Sequence, residues 1–315
     1  MTEPRVDAVL TAPTTGLEIH YRDWGGARGR GEEGREGWEG DDLPPVLLLH
    51  GLASTCRIYD LCAPLLARGR RVVAYDQRGH GGSGKPESGY DLDTLVVDGV
   101  GVAQALRLAA PYVVVGHSWG ASVALHWAVS RPADVRAAVL VDGGVSSFRD
   151  MPGATWQTVE DRFAPPAWRD VRFDDLLAHA RRGDLAVLDE SFRRDFFAAL
   201  TVAGPDGTVR ARLSAENHWR ILRGMWDHDL DAAYRALRRP TLDLLALPAD
   251  PWDDARREMV ETKRRAAARR EALQPLLRVR WLEDTIHDIP LRRPDTLAEA
   301  IDGVGGMGDI GRDGG

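Results

Sequence analysis

One serine in this chain stands on a short segment framed by two glycines, between an apolar run and a helical pattern. The segment reads Gly116-His117-Ser118-Trp119-Gly120 within "YVVVGHSWGASVALHWAV", which is G-x-S-x-G in a strand–turn–helix context. On such a sharp turn the serine Oγ projects from the sheet, and the residues two positions away on either side must be small. The N–H groups at the helix start suit a developing oxyanion. The pattern predicts a nucleophilic serine rather than a helix-capping one.

A second glycine-rich segment indicates a different chemistry. "GHGGSGKP", Gly79 to Pro86, spells most of the phosphate loop G-x-x-x-x-G-K-[ST], and the apolar run "AAVLVD" ends in a candidate metal-binding acid, Asp142. However, Pro86 stands where the loop needs a hydroxyl, and three residues separate the preceding strand from Gly79. A further glycine soon after Lys85 disfavours a helix there. A P-loop nucleotide hydrolase therefore stays only as an alternative, and it would require Mg²⁺ and Lys85.

The elements that must position these residues alternate between strands and helices. "LEIHYR" alternates apolar and polar residues, as a half-buried strand does. The segment 91–108 has apolar residues at helical spacing. Further strands are predicted as mostly unbroken apolar runs, typical of parallel strands covered on both faces, at 46–50, 71–75, 112–115, 137–141, 241–247 and 279–282. This alternation predicts the α/β class, with a doubly wound, mostly parallel sheet.

The alternation stops in the middle of the chain. Residues 145–237 hold all six phenylalanines and four of the ten tryptophans, and we interpret them as a helical cap or lid. The cap would be inserted between two parts of one α/β core, 1–144 and 238–302. The glycine-rich and charged stretch 25–42 has almost nothing to bury and is predicted to be a disordered loop. The tail 303–315 is predicted to be disordered as well.

Composition narrows the class of partner. The chain has 315 residues, 43% of them hydrophobic, and a net charge of −7 spread along its length. It can bury a large core, and its charge favours neither nucleic acid nor an anionic membrane as a partner. No apolar run approaches the roughly 18 residues that span a bilayer, and no signal-peptide pattern is present, so we expect a cytoplasmic protein. Cys56 and Cys62 are predicted to share a helix and to be reduced, and no His or Cys pair has metal-ligand spacing.

Four ordered motifs together resemble the α/β-hydrolase fold family. "LLLHGLAS" at 47–54 is similar to the family's His-Gly loop after the third strand, and "VVAYDQRGHGGSGKP" at 72–86 to the next strand and its loop. "VVVGHSWG" is similar to the nucleophile elbow, and "DTIHDIPLRRPDTLAEAI" at 284–301 to the histidine loop and final helix. The resemblance spans about 17–301, although it is thin in the cap. It implies the α/β-hydrolase fold with a helical lid, and the chain order nucleophile, acid, histidine.

The resemblance implies the catalytic partners of Ser118. His287 stands at the position of the general base, where a neutral imidazole accepts the serine proton. Asp250, in "TLDLLALPADPWDD", follows the penultimate strand at the family position of the acid, although the usual glycine of that turn is absent. Asp142, after the preceding strand, is at a position that some relatives use, and it remains the alternative acid. Either carboxylate would have to orient His287 from the same end of the sheet.

The family pattern assigns the oxyanion hole to the backbone N–H groups of Leu52 and Trp119. The expected function is that of a carboxylesterase-like serine hydrolase, acting through an acyl-enzyme on an ester, lactone, thioester or amide bond. The substrate would be small and fairly apolar, held in a pocket under the aromatic-rich lid, with no cofactor and no metal. Ser118 argues against the epoxide hydrolases and haloalkane dehalogenases of the family, which use aspartate. A non-catalytic protein of this fold that binds a small molecule remains the alternative.

Overall fold

The computed structural model describes residues 3–26, 43–165 and 171–305. The strands are, in chain order, β1 Val6–Thr11, β2 Glu18–Gly25, β3 Val46–Leu49, β4 Val72–Tyr75, β5 Tyr112–His117, β6 Val135–Val141, β7 Val171–Arg172, β8 Thr201–Ala203, β9 Thr208–Ala211, β10 Thr241–Ala246 and β11 Leu277–Leu282. The helices are α1 Ala63–Leu66, α2 Leu92–Ala105, α3 Trp119–Ser130, α4 Trp156–Arg162, α5 Phe173–Ala180, α6 Glu190–Leu200, α7 Ala215–Asp227, α8 Leu230–Ala236, α9 Asp254–Leu273, α10 Ile289–Arg292 and α11 Pro294–Gly305.

Eight of these strands form one sheet in the order β1-β2-β4-β3-β5-β6-β10-β11. β2 runs antiparallel to both β1 and β4, and the remaining neighbours are parallel. The predicted α/β fold with a mostly parallel sheet is confirmed, and every predicted strand is present. β1 was not predicted, because this edge strand is largely exposed: Val6, Ala8 and Leu10 share one side, but even Ala8 and Leu10 are only half-buried.

The sheet is covered on both faces, as its apolar strands require. In β3, Leu47 and Leu49 join the core cluster that contains Trp127 of α3, whereas Val46 and Leu48 join the cluster on the opposite face. This is the two-residue alternation of a strand that has no solvent face. Each such leucine stabilises the fold by roughly 1.5–3 kcal/mol through burial. The central strands therefore form a rigid base for the residues at their carboxyl ends.

In the predicted cap segment, 145–237, the described residues (145–165 and 171–237) form five α-helices, α4 to α8, and also a small antiparallel sheet. That sheet has the order β7-β9-β8. The expectation of a purely helical insertion is therefore wrong in this detail, since strands of two to four residues leave little periodicity to detect in a sequence. The end of the segment is joined to the residue before its start, because the buried Tyr234 hydroxyl donates to the Gly144 carbonyl over 3.1 Å.

Several smaller expectations meet the described part of the chain. Helix α11 runs through residues 303–305, and Val304 is only 2% exposed, so the predicted disordered tail 303–315 starts too early. The rest of that tail and most of 25–42 lie outside the described residues. Cys56 and Cys62 are free and buried; a short 3₁₀ turn and the start of α1 replace the single helix expected for them. No helix within 3–26, 43–165 and 171–305 is long and apolar enough to cross a membrane.

Candidate active site

Ser118 lies on the sharp turn between β5 and α3. Its backbone angles are φ 55° and ψ −117°, a conformation that costs a non-glycine residue free energy and is typical of functional turns. A Cβ at Gly116 would lie 2.0 Å from the Gly120 carbonyl oxygen, and one at Gly120 would lie 2.4 Å from the Leu49 oxygen. Both positions must therefore be glycine. The Ser118 hydroxyl makes no capping hydrogen bond to α3, so the helix-capping interpretation is not what the structure shows.

Two glycine loops pass close to this serine. A Cβ at Gly51 would lie 2.9 Å from the Ser118 Cβ, and one at Gly143 would lie 2.3 Å from the Ser118 carbonyl oxygen. The His-Gly loop thus brings Leu52 next to the nucleophile. Trp119 is the first residue of α3, where a backbone N–H has no acceptor within the helix. These are the two groups that the sequence assigned to an oxyanion hole.

His287 lies in the loop between β11 and α10, and a carboxylate holds its ring. Its Nδ1 lies 2.7 Å from Oδ2 of Asp142, whose side chain is only 1% exposed. On the opposite side, Nε2 of His117 donates to the His287 carbonyl over 3.0 Å. Asp142 directly follows β6 and Ser118 follows the adjacent strand β5, so the three side chains belong to one end of the sheet.

The carboxylate that contacts His287 is the alternative acid and not Asp250. Asp250 is exposed, and no hydrogen bond or ion pair joins it to His287 in the described structure. The reason is the position of the strand ends. The N–H of Asp142 donates to the Leu244 oxygen over 2.8 Å, so Asp142 is level with the middle of β10, whereas Asp250 lies several residues past the end of that strand. The expectation that Asp250 would contact His287 is therefore corrected.

A lysine that the sequence analysis did not single out completes this group. Nζ of Lys263, on α9, lies 2.7 Å from Oδ1 and 2.9 Å from Oδ2 of Asp142. Oδ1 also accepts the backbone N–H of Ala246 over 2.9 Å. Lys263 is one of only two lysines in the chain, but it shares a highly charged helix with six arginines, and no spacing in the sequence links it to Asp142. Only the fold shows which of them reaches the sheet.

The charges at this site shift each other's pKa. Burial by itself would raise the pKa of Asp142, but the positive charge of Lys263 and the hydrogen bond from His287 hold it well below its usual range. Burial would lower the pKa of His287, yet its hydrogen bond to Asp142 and the charge of that carboxylate raise it. Burial, with His287 nearby, lowers the pKa of His117 to about 3. At neutral pH, Asp142 is therefore ionised and His117 is neutral.

A cavity of about 540 Å³ opens over Asp142 and His287. Its size falls within the range of small-molecule sites. Its walls are mainly apolar and come from the 145–237 segment, α9 and the histidine loop, through Phe148, Met151, Phe163, Met225, Met259 and Ile286. The polar side chains that reach it include Ser122 and Lys263.

The glycine loop 79–86 does not have the features of a phosphate site. The Lys85 ammonium donates to the carbonyls of Gly81 and Ser83 over 2.9 and 2.7 Å, so it binds its own loop. The next helix, α2, begins only at Leu92. Instead, the loop supports the site: the His80 ring stacks on Trp119 at 5.3 Å and its Nε2 lies 3.2 Å from the N–H of Ala53.

One group of side chains within the described ranges has donor atoms of a type that could hold a metal. A nitrogen of His20, the thiol of Cys56 and a carboxylate oxygen of Asp76 lie within 4.8 Å of one another. His20 Nδ1 lies 2.7 Å from Asp76 Oδ2, and Asp76 also accepts the N–H groups of Cys56 and Gly82. These bonds already tie β2 to the loops after β3 and β4, so a structural role accounts for the group.

Strand order, the strained serine turn and the histidine loop define an α/β-hydrolase fold. A model of the alpha/beta hydrolase family matches residues 46–300, and the chain belongs to this family. The prediction of an enzyme of the α/β-hydrolase family is confirmed. The chain is 29% identical over 206 residues to 2-(acetamidomethylene)succinate hydrolase of Mesorhizobium japonicum, which covers 63% of this chain and 69% of that protein.

Other relatives match shorter segments. A non-heme chloroperoxidase of Streptomyces lividans is 36% identical over 129 residues, 40% of this chain but only 41% of that protein. Among solved structures, E-2-(acetamidomethylene)succinate hydrolase superposes with a TM-score of 0.72 at 22% identity, covering 95% of this chain and 98% of that one. The enol-lactonase of Burkholderia xenovorans gives 0.62 at 18% identity, covering 94% and 99%. At such identities the structures show the fold, and the named relatives support hydrolytic activity in general.

Proposed function

We propose that the protein is a serine hydrolase whose catalytic residues are Ser118, His287 and Asp142. The observation that carries the proposal is the pairing of His287 with a buried carboxylate at the sheet end that bears a strained, uncapped serine. Such an arrangement keeps the imidazole in the tautomer whose Nε2 is free to accept the serine proton. Asp250, which the sequence favoured, has no part in this proposal.

The reaction would follow from these positions. As Ser118 Oγ attacks a carbonyl carbon, its proton passes to Nε2 of His287, and Asp142 stabilises the imidazolium that forms. The oxyanion would accept hydrogen bonds from the N–H groups of Leu52 and Trp119, the latter at the N-terminus of α3. His287 then gives its proton to the leaving group. A water molecule that His287 deprotonates releases the acyl group from Ser118.

The cavity supports a small, fairly apolar acyl group as the part of the substrate that is recognised. Three methionines and two phenylalanines contribute to its mainly apolar wall, and methionine adapts readily to ligands of different shape. We propose that residues 145–237 act as a lid, since Phe148, Phe163 and Met225 of this segment line the cavity above His287. Esters, lactones, thioesters and amides all present the carbonyl that this site would attack.

Labelling with a fluorophosphonate probe, followed by peptide mapping, tests the proposal. We expect modification at Ser118, abolished by Ser118→Ala and strongly reduced by His287→Ala. Ser122→Ala is the matched control, because Ser122 lies one turn later on α3 and lines the cavity over Asp142 and His287. It should label like the unmodified protein.

Absence of labelling in the folded protein, together with no turnover of p-nitrophenyl acetate or butyrate, would refute the hydrolase proposal. The cavity would then be better explained as the binding site of a non-catalytic member of the fold. Labelling that is lost in Ser122→Ala but retained in Ser118→Ala would move the nucleophile to another residue and refute the assignment.

A further inference from the structure

We propose that Lys263 is a positioning residue for the general base: it fixes the carboxylate of Asp142 and keeps His287 unprotonated at lower pH than the carboxylate alone would allow. This inference rests on the proposed function, because it concerns how the same histidine is kept ready to accept the serine proton. Lys263 would act through Asp142 and would not itself touch the reacting atoms.

The geometry at Asp142 supports the first part. Its carboxylate accepts four short contacts: two from Lys263 Nζ at 2.7 and 2.9 Å, one from the Ala246 N–H at 2.9 Å, and one from His287 Nδ1 at 2.7 Å. These donors come from α9, the end of β10 and the histidine loop. A carboxylate held from three directions cannot rotate, so it presents Oδ2 to the imidazole in one orientation.

The second part follows from charge. Lys263 and His287 both lie against the same oxygen, Oδ2 of Asp142, so their nitrogens cannot be farther apart than the two contact distances together. An ammonium this close repels a second positive charge on the imidazole. The side chains of Lys263 and Asp142 are 15% and 1% exposed, whereas that of His287 is 53% exposed. Water therefore screens this repulsion in part, but less than it would between two charges on an open surface.

The other titratable groups around His287 do not replace this effect. Asp288, in the same loop, favours the protonated imidazole, as Asp142 does. His117 packs against the His287 ring with centroids 4.7 Å apart, and its lowered pKa keeps it uncharged. Asp243 of β10 is fully buried, and burial raises its pKa well above the usual range, which favours its uncharged form. Arg162, Arg256 and Glu258 also line the cavity with His287, but within the described residues Lys263 is the lysine or arginine that contacts Asp142.

The pH dependence of Ser118 labelling tests the inference without knowledge of the natural substrate. The second-order rate constant for a fluorophosphonate would be measured from pH 5 to 9, because it reports the protonation of His287 in the free enzyme. In Lys263→Met the midpoint of the rate profile should move to higher pH by roughly one pH unit, since the attraction of Asp142 for the imidazolium is no longer opposed. Well above both midpoints, the rates should differ by no more than about threefold.

Two variants control for charge and for folding. Lys263→Arg keeps the positive charge and should keep the midpoint of the unmodified protein. Arg265→Met removes a cation from the same helix, but Arg265 is 59% exposed and pairs with Glu261, so it should shift nothing. Lys263→Gln can still donate a hydrogen bond to Asp142 without a charge, and it should shift the midpoint even if Lys263→Met does not fold.

The possible results separate three conclusions. The inference is supported if the midpoint moves upward in Lys263→Met or Lys263→Gln and does not move in Lys263→Arg or Arg265→Met. A uniform loss at every pH, an unmoved or lowered midpoint, or an equal shift in Lys263→Arg overturns it and leaves Lys263 a structural residue. If Ser118 of the unmodified protein is not labelled at any pH, the proposed function itself fails, and this inference fails with it.

Discussion

Replacing Asp142 by asparagine is the sharpest test of the site. An asparagine has one acceptor oxygen where the carboxylate accepts contacts from His287, Lys263 and the Ala246 N–H. Its amide NH₂ must therefore face either the lysine ammonium or the imidazole. If it faces His287, the ring accepts a hydrogen bond at Nδ1 and carries its proton on Nε2, the atom that must receive the proton of Ser118.

The size of the effect follows from this change of tautomer. Asp142→Asn should lower kcat by about 10³–10⁴, equivalent to roughly 4–5.5 kcal/mol of transition-state stabilisation. It should also destabilise the fold by about 3 kcal/mol, because Lys263 loses its partner in a largely buried position. Asp250→Asn changes an exposed side chain and should alter neither property by more than about 0.5 kcal/mol.

Hydrolysis of p-nitrophenyl esters and urea unfolding measure the two effects separately. A larger loss of kcat in Asp250→Asn than in Asp142→Asn would refute the assignment of the acid, and so would a loss below tenfold in Asp142→Asn. The double variant Asp142→Asn/Lys263→Met adds an internal check. It removes the unpaired ammonium, so it should regain part of the stability and none of the activity.

Two further predictions concern the glycine segments. Gly116→Ala should lower kcat by about 100-fold and destabilise the protein, because the new methyl would lie 2.0 Å from the Gly120 carbonyl and displace the serine turn; Gly303→Ala, whose methyl would meet nothing within 4 Å, is the control in the same ester and unfolding assays. Lys85→Met should leave esterase kcat within about twofold, since its ammonium only binds its own loop. Mg²⁺-dependent nucleotide hydrolysis that disappears in Lys85→Met would contradict this and revive the phosphate-loop interpretation.

The parts of the site that were predictable from sequence are local ones. The turn at Ser118 depends on Gly116 and Gly120, both within two residues of it. A short sequence motif therefore includes both of these small residues. The buried strands were predictable for a similar reason, since an unbroken apolar run by itself indicates a strand that is covered on both faces. β1 and the three short cap strands were missed because an exposed edge and strands of two to four residues carry too little of that signal.

The carboxylate that contacts His287 was not predictable in this way, because its identity depends on which strand ends are level in space. Asp142 and Asp250 both follow apolar strands, and the sequence distinguishes them only by a missing glycine near Leu247-Pro248-Ala249. In the structure His287 contacts Asp142, whose N–H donates to the Leu244 oxygen of β10, and no sequence pattern contains either contact. Lys263 was missed for a related reason, since its contact spans 121 positions of the chain.

The position of Asp142 also explains how a lysine can enter this site. The carboxylate that contacts His287 follows β6 rather than β10. The chain after β10 therefore does not have to place a carboxylate against His287. That stretch crosses the cavity instead, where Pro248 forms part of the wall, and leads into α9. Helix α9 then places Met259 and Lys263, one turn apart, on the cavity and on Asp142. One helix therefore both lines the cavity proposed for an acyl group and contacts the carboxylate that holds His287. We expect the shape of the cavity and the pKa of His287 to change together when α9 shifts.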